Sequence, residues 1–412
     1  MGESTARTTA DWPFQRSRTT ARFWSLAGVL FFLFFGAGVP SPLYDVYQAE
    51  WHFSAATLTA VFAIYALLVL MTLLCLGSLS DLLGRRAVIA LGLFTNTLAC
   101  ALFLLANGVG FLFAGRALQG FAVGVTVGAL GASLIDSQPT GSGLGPLVNS
   151  AVPNLGLALG SLCSSAFGQY GPDPTRVIWW LTFGASLVSI LALLVVAEPP
   201  QAQSGVLAWR WPRVSVPLDA RRNLLIAAPC FVAVWALGGL YLSLGPSLAS
   251  QILSSPNRLW GGAVIFLLCG TAAAAAALCR LAPPKAMTVG CLALLSGAAM
   301  TFASVVAAAG TALLVGTALA GAGFGLAYLG AFRTSIMPVS PRERAGVLAA
   351  IYIISYLAFS IPALAAGLAT RRFGLHDTAL VYSASVALLV AVTLSGRLFR
   401  RGARVPPLGG PW

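Results

Sequence analysis

The chain has 412 residues, of which 58% are hydrophobic and 8% charged, and its mean hydropathy of +0.87 excludes a water-soluble domain of this size. The net charge of +13 does not point to nucleic acid, because the basic residues are spread over short intervals instead of gathering on one face. Lys285 is the single lysine, so no Walker A sequence exists and ATP-driven pumping by this chain is excluded.

The reading that remains is a polytopic helical membrane protein. A hydrocarbon core of ~30 Å needs about 20 apolar residues per helix. Residues 1–22 are polar and basic; the run after them is too long for a signal h-region and ends at Pro40-Ser41-Pro42 without a small-residue cleavage site, so it reads as a retained first span. Charge-free runs follow at 53–80, 87–115, 117–135, 137–172, 177–197, 223–257, 259–279, 286–332, 345–370 and 378–396. The run 286–332 would reach ~70 Å as one helix, so it divides near Gly310 and twelve spans are expected.

Between the second and third spans lies Gly77-Ser-Leu-Ser-Asp81-Leu-Leu-Gly84-Arg85-Arg86. Gly77 allows close helix approach, Asp81 stands at a helix end, Gly84 permits a positive φ, and Arg85 and Arg86 hold the turn in the cytoplasm. This pattern resembles the loop between helices 2 and 3 of the major facilitator superfamily of secondary transporters. The resemblance implies an all-α fold of twelve helices in two six-helix bundles. It also implies movement of a small organic solute by alternating access, with proton coupling and an efflux-like role. A lipid bilayer, a monomer and no cofactor go with it.

In the fourth span, Arg116-Ala-Leu-Gln119-Gly120 resembles the R-x-x-Q-G motif of the same superfamily, whose arginine is associated with ion coupling. A charge there costs ~2.5–3.5 kcal/mol on insertion scales. It is either functional or a side chain snorkelling to the near interface, and the register of Gln119 and Gly120 favours function. The fifth span carries Gly156 and Gly160 at close-packing spacing but Ser161 where exporters of the superfamily have proline, so the antiport motif is incomplete.

Residues 198–222, with two tryptophans and four arginines, form the longest polar interval and divide the chain into bundles 23–197 and 223–396, with a C-terminal tail from 397. An offset of 199 aligns Gly124 with Gly323, Gly131-Ala132 with Gly330-Ala331 and Pro139 with Pro338, which marks an internal repeat. The same offset sets Asp81 against Arg280, so the signature belongs to the first half alone. Ser340-Pro341-Arg342-Glu343 reads as a capping box opening span 11. The family arrangement brings Asp81 to that helix end, as a latch for the state closed to the cytoplasm.

Basic residues fall mainly in the tails and in the intervals around 85, 210–222, 280–285 and 333–344, against Arg176, Arg258, Arg371 and Arg372 on the other side. Both termini are therefore expected in the cytoplasm of a multi-pass cell-membrane protein. Seven cysteines lie in apolar runs without C-x-x-C spacing and read as packing residues. His52 and His376 are far apart in sequence, and no metal site is expected.

Candidate cavity residues are Asn154, Trp235, Tyr241, Tyr328, Tyr352, Ser355 and Tyr356, polar or aromatic groups within spans. The deep charge is the cation Arg116; the only carboxylates in or directly beside the membrane core are Asp45 and Asp136. A neutral or anionic substrate follows, with Asp45 or Asp136 as candidate proton carriers. No nucleophile and base pair marks an enzyme. A transporter-fold sensor or scaffold is the other class, and intact Asp81 and Arg116 speak against it.

Overall fold

The computed structural model describes residues 12–139, 142–195, 216–337, 339–340 and 343–402. Most of the expected linker at 198–222 and the outer parts of both tails lie outside these residues. In hydrocarbon each backbone amide must find its partner within the chain, and the described residues answer with helices alone. Span 1 comprises Trp12–Gly38 continued by Pro40–Trp51; spans 2 to 6 are Ala55–Leu76, Arg85–Leu104, Val109–Ser137, Leu144–Tyr170 and Val177–Val195. Span 7 is Leu218–Ser243 continued by Gly245–Leu253, and spans 8 to 10 are Leu259–Leu278, Pro283–Ala307 and Gly310–Ile336.

The helix Arg344–Gly402 is far too long for one crossing and breaks at Gly374, whose φ of 84° no helix interior tolerates. That break separates span 11 from span 12 and completes the twelve. Span 10 starts at Gly310, where the sequence placed the division. Span 1 begins earlier than residue 23 and runs on past Pro42, because Pro40 starts a second helical piece instead of ending the first.

Twelve crossings put the beginning of span 1 and the end of span 12 on one face, here the terminal face, with the loops after spans 1, 3, 5, 7, 9 and 11 on the distal face. The halves meet along span 2 against span 11 and span 5 against span 8. Within the first half, Gly156 and Gly160 of span 5 lie on the span 1 backbone: a Cβ at Gly156 would stand 2.7 Å from the carbonyl of Phe31. Each half also breaks its first span before a proline near the distal face, at Pro40 and at Gly245-Pro246.

Candidate functional site

The break in span 1 builds the first part of the site. Pro40 and Pro42 have no N–H to give the carbonyls four residues back, so Gly36 and Gly38 each keep a free acceptor in the membrane core. Neighbouring spans supply the donors. Gln119 Nε2 donates to Gly36 O at 3.0 Å, Arg116 Nη1 to Ala37 O at 3.2 Å, Ser161 Oγ to Gly38 O at 2.9 Å and Ser164 Oγ to Val39 O at 2.7 Å. Ser161, the residue that breaks the exporter pattern in span 5, is thus part of a clasp.

Arg116 is 1% exposed. It also donates to Gln119 Oε1 at 3.0 Å, and its guanidinium carbon stands 4.0 Å from the centre of the Tyr65 ring. The snorkelling alternative is overturned: desolvation is offset by two oxygens and a ring face, so the head turns into the bundle. Arg116 has no carboxylate partner among the described residues, and its Nε is buried without an acceptor.

The second part is an aromatic wall on the second half. Trp235 of span 7 has the rings of Phe324, Tyr328, Tyr356 and Phe359 at 6.1, 5.8, 5.4 and 5.5 Å, in the tilted and edge-on arrangements that ring quadrupoles favour. Tyr328, Tyr352 and Tyr356 are partly buried and keep accessible surface, and none of their hydroxyls makes a hydrogen bond among the described residues. Trp235 Nε1 is buried and unpartnered. Tyr65, from the first half, stands within electrostatic reach of Tyr356. Asn154 is half-buried, with its amide donating to Ser150 O at 3.3 Å. Tyr241 sits elsewhere: it is 1% exposed inside the second half, bonded to Thr301 at 2.9 Å and Thr317 at 3.0 Å. Ser355 is buried with its hydroxyl unpartnered.

The third part is a seal at the distal face. Phe62 and Phe359 meet across the halves at 4.8 Å. Beyond them Ser247 Oγ donates to Asp45 at 2.8 Å, Asn257 Nδ2 to Tyr170 at 3.3 Å, and Arg258 to Gln169 Oε1 at 2.9 Å and Gly168 O at 3.1 Å. These four hydrogen bonds tie the halves together at that face. A cavity of about 420 Å³ outside the seal is lined by Asp45, Gln48, Ser247, Ser250, Asn257 and Arg258 among others.

At the terminal face the signature turn is open to solvent. Leu79–Leu83 forms one short helix and Gly84 has a φ of 81°, as the turn requires. Arg85 pairs with Asp136, whose side chain is 60% exposed, and Arg86 donates to Leu194 O at 2.6 Å. Gly77 and Asp81 are exposed, and Asp81 has no side-chain partner among the described residues. Its meeting with span 11 is therefore not formed in this state. The capping box differs from expectation as well. Ser340 Oγ and Glu343 Oε2 bond each other at 2.6 Å instead of both reaching backbone amides, and span 11 starts at Arg344. A hydroxyl bonded to a carboxylate is the stronger pairing.

Sequence reasoning missed Tyr65, Phe62, Phe324, Phe359 and Ser164. The spacing of Pro40 and Pro42 was a usable signal, since two prolines in a span announce two carbonyls that need donors. The rings carried no comparable signal.

Twelve spans in two halves, meeting along spans 2 and 11 and spans 5 and 8 with an aromatic cluster beside that seam, define a membrane carrier for small solutes. The chain belongs to the Major Facilitator Superfamily, whose family model matches residues 26–366. Among solved structures it is similar to a mutant form of the nucleoside transporter NupG, with a TM-score of 0.72 and 14% identity over 90% of this chain and 99% of that one. It is also similar to the human organic anion transporter MFSD10 (TETRAN), with a TM-score of 0.60 and 20% identity over 92% of this chain and 99% of that one. No curated protein matches it by sequence. The likenesses carry the fold, and the family makes the chain a transporter of a small solute, not an enzyme.

Proposed function

We propose that the chain is a proton-coupled exporter of a neutral or anionic small organic solute, acting as a monomer in the cell membrane with its terminal face in the cytoplasm. The halves 23–197 and 223–396 rock about a substrate site beside the Trp235 cluster, and the state described here is sealed on the outer side. Arg116 carries the substrate charge reading. It is a buried cation without a carboxylate partner, and the described carboxylates of the chain all lie near the faces. A cationic solute at mid-membrane would meet repulsion and no counter-charge.

The proton is assigned to Asp45. Asp136 is exposed and ion-paired with Arg85 at the terminal face, whereas Asp45 sits in the seam and bonds across it to Ser247. Asp81 serves as the latch of the opposite state, in which the cytoplasmic side closes and span 11 approaches it. The organic anion and nucleoside named for the two neighbouring structures fit the charge preference and support it by analogy.

Purified protein in liposomes under an imposed pH gradient tests this reading against a sensor or scaffold. Movement of uridine or salicylate across the liposome membrane that collapses with the gradient is the expected result. Flux of tetraphenylphosphonium in place of either, or no flux of any solute, would count against it.

A further inference from the structure

We infer that the cavity at the distal face is a binding site, separate from the transport site, for a small zwitterion whose occupancy holds the halves sealed. The inference borrows from the transport reading only the parting of the halves at this face. The cavity of about 420 Å³ falls within the size of small-molecule sites, commonly about 300–1,000 Å³. Its walls come from both halves, because each half continues its first span beyond a proline and the two continuations touch. Pro40–Trp51 contributes Asp45 and Gln48, Gly245–Leu253 contributes Ser247 and Ser250, and the loop into span 8 contributes Asn257 and Arg258.

The charges decide the ligand. Asp45 of the first half and Arg258 of the second line the same cavity and stand within electrostatic reach of each other. They nevertheless form no ion pair, and neither pairs with another charge among the described residues. Each is only partly satisfied. Asp45 Oδ1 accepts from Ser247 Oγ at 2.8 Å, whereas Oδ2 meets no donor among the described residues. Arg258 spends Nη1 on Gly168 O at 3.1 Å, and its Nε and Nη2 meet no acceptor there. A molecule with an ammonium for Asp45 and a carboxylate for Arg258 makes charge-assisted bonds at both ends. A plain anion would meet Asp45 and a plain cation Arg258, while a neutral polyol would leave both charges unanswered.

Occupancy then bears on gating. Because Asp45 and Arg258 belong to different halves, the two ends of the ligand are gripped together only while the halves meet. A ligand that prefers one of two states shifts the equilibrium by its differential affinity.

The test uses the full-length protein in detergent, where both faces are open to solute. The probes are γ-aminobutyrate and L-glutamine, with butyrate, butylammonium and glucose as controls. In calorimetry at least one zwitterion should bind at least about tenfold more tightly than every control. Ser250→Phe fills the cavity from an exposed position and should abolish that binding. Arg258→Gln should weaken zwitterion binding and strengthen that of butylammonium, an exchange that no misfolded protein shows. At 100 times Kd the zwitterion should slow labelling of a cysteine at Phe359 at least about tenfold. Controls that bind as tightly as both zwitterions, binding indifferent to Ser250→Phe, or labelling unchanged at saturation overturns the inference. So does carriage of the bound zwitterion across the liposome membrane, because a solute released on the other face is a substrate and not a brace. Absence of uridine and salicylate flux would remove the transport reading and leave these binding results standing. Zwitterion binding lost in phosphatidylethanolamine bilayers but kept in phosphatidylglycerol assigns the site to a lipid headgroup, and equal binding in both to a dissolved solute; either result supports the zwitterion chemistry.

Discussion

Gln119→Leu should destabilise the protein, and Pro40→Ala should repair most of the damage. In the native chain Gln119 Nε2 supplies the proton that Pro40 cannot give to Gly36 O, at 3.0 Å. Leucine keeps the volume and leaves that carbonyl buried and unpaired, a cost of about 1–3 kcal/mol. It also removes the acceptor that Arg116 Nη1 uses at 3.0 Å, and bonds to charged groups are worth about 1.5–3 kcal/mol. An alanine in place of Pro40 restores an N–H that can close the helical bond to Gly36 O. The two changes should therefore couple by about 1–2 kcal/mol, the share that belongs to the carbonyl, while the Arg116 share persists. Reversible unfolding in mixed micelles of the four members of the cycle measures this. A Gln119→Leu cost equal in the native and Pro40→Ala backgrounds, to within about 0.5 kcal/mol, would refute the clasp.

Gly262→Ala should push the equilibrium toward the state open at the distal face. Its Cβ would overlap Ser165 Oγ and stand 2.5 Å from Ser161 O across the halves, and an increase in labelling of a cysteine placed at Phe359 would report it; unchanged labelling would rule the seal out as a close-packed contact. Asp45→Asn and Ser247→Ala should each weaken the same seal by a few-fold in that labelling, because both remove the charge-assisted bond at 2.8 Å. Equal labelling in wild type and both variants would dissociate the bond from gating. Asp81→Asn should leave insertion and stability near native, since the side chain has no partner among the described residues in this state, yet lower transport, and normal flux would dispose of the latch. A cysteine at Asp173 should react with an impermeant reagent from outside the cell and one at Ser204 should not; the opposite pattern would invert the assigned orientation.

Much of this protein was legible in its residues alone. Charge-free runs of membrane length set the number of spans, because hydrocarbon admits neither charge nor unpaired backbone, and the ~70 Å reach of 286–332 located the division at Gly310. The ten residues from Gly77 to Arg86 pointed to the family, through the glycine, carboxylate and arginine positions that answer the backbone and charge requirements of one tight turn. What stayed hidden was the company each side chain keeps. Sequence allowed Arg116 to face either lipid headgroups or the bundle, and set Tyr241 beside Tyr356 among the cavity candidates. Tertiary packing turned Arg116 onto Ala37 O and Tyr65, closed Tyr241 off with Thr301 and Thr317, and left Tyr356 partly accessible. Span identity depends on composition along one helix, which the chain carries locally. The lining of a chamber depends on how helices from both halves are rotated about their axes, and that is decided by close contacts between residues such as Gly262 and Ser165 that lie far apart in the chain.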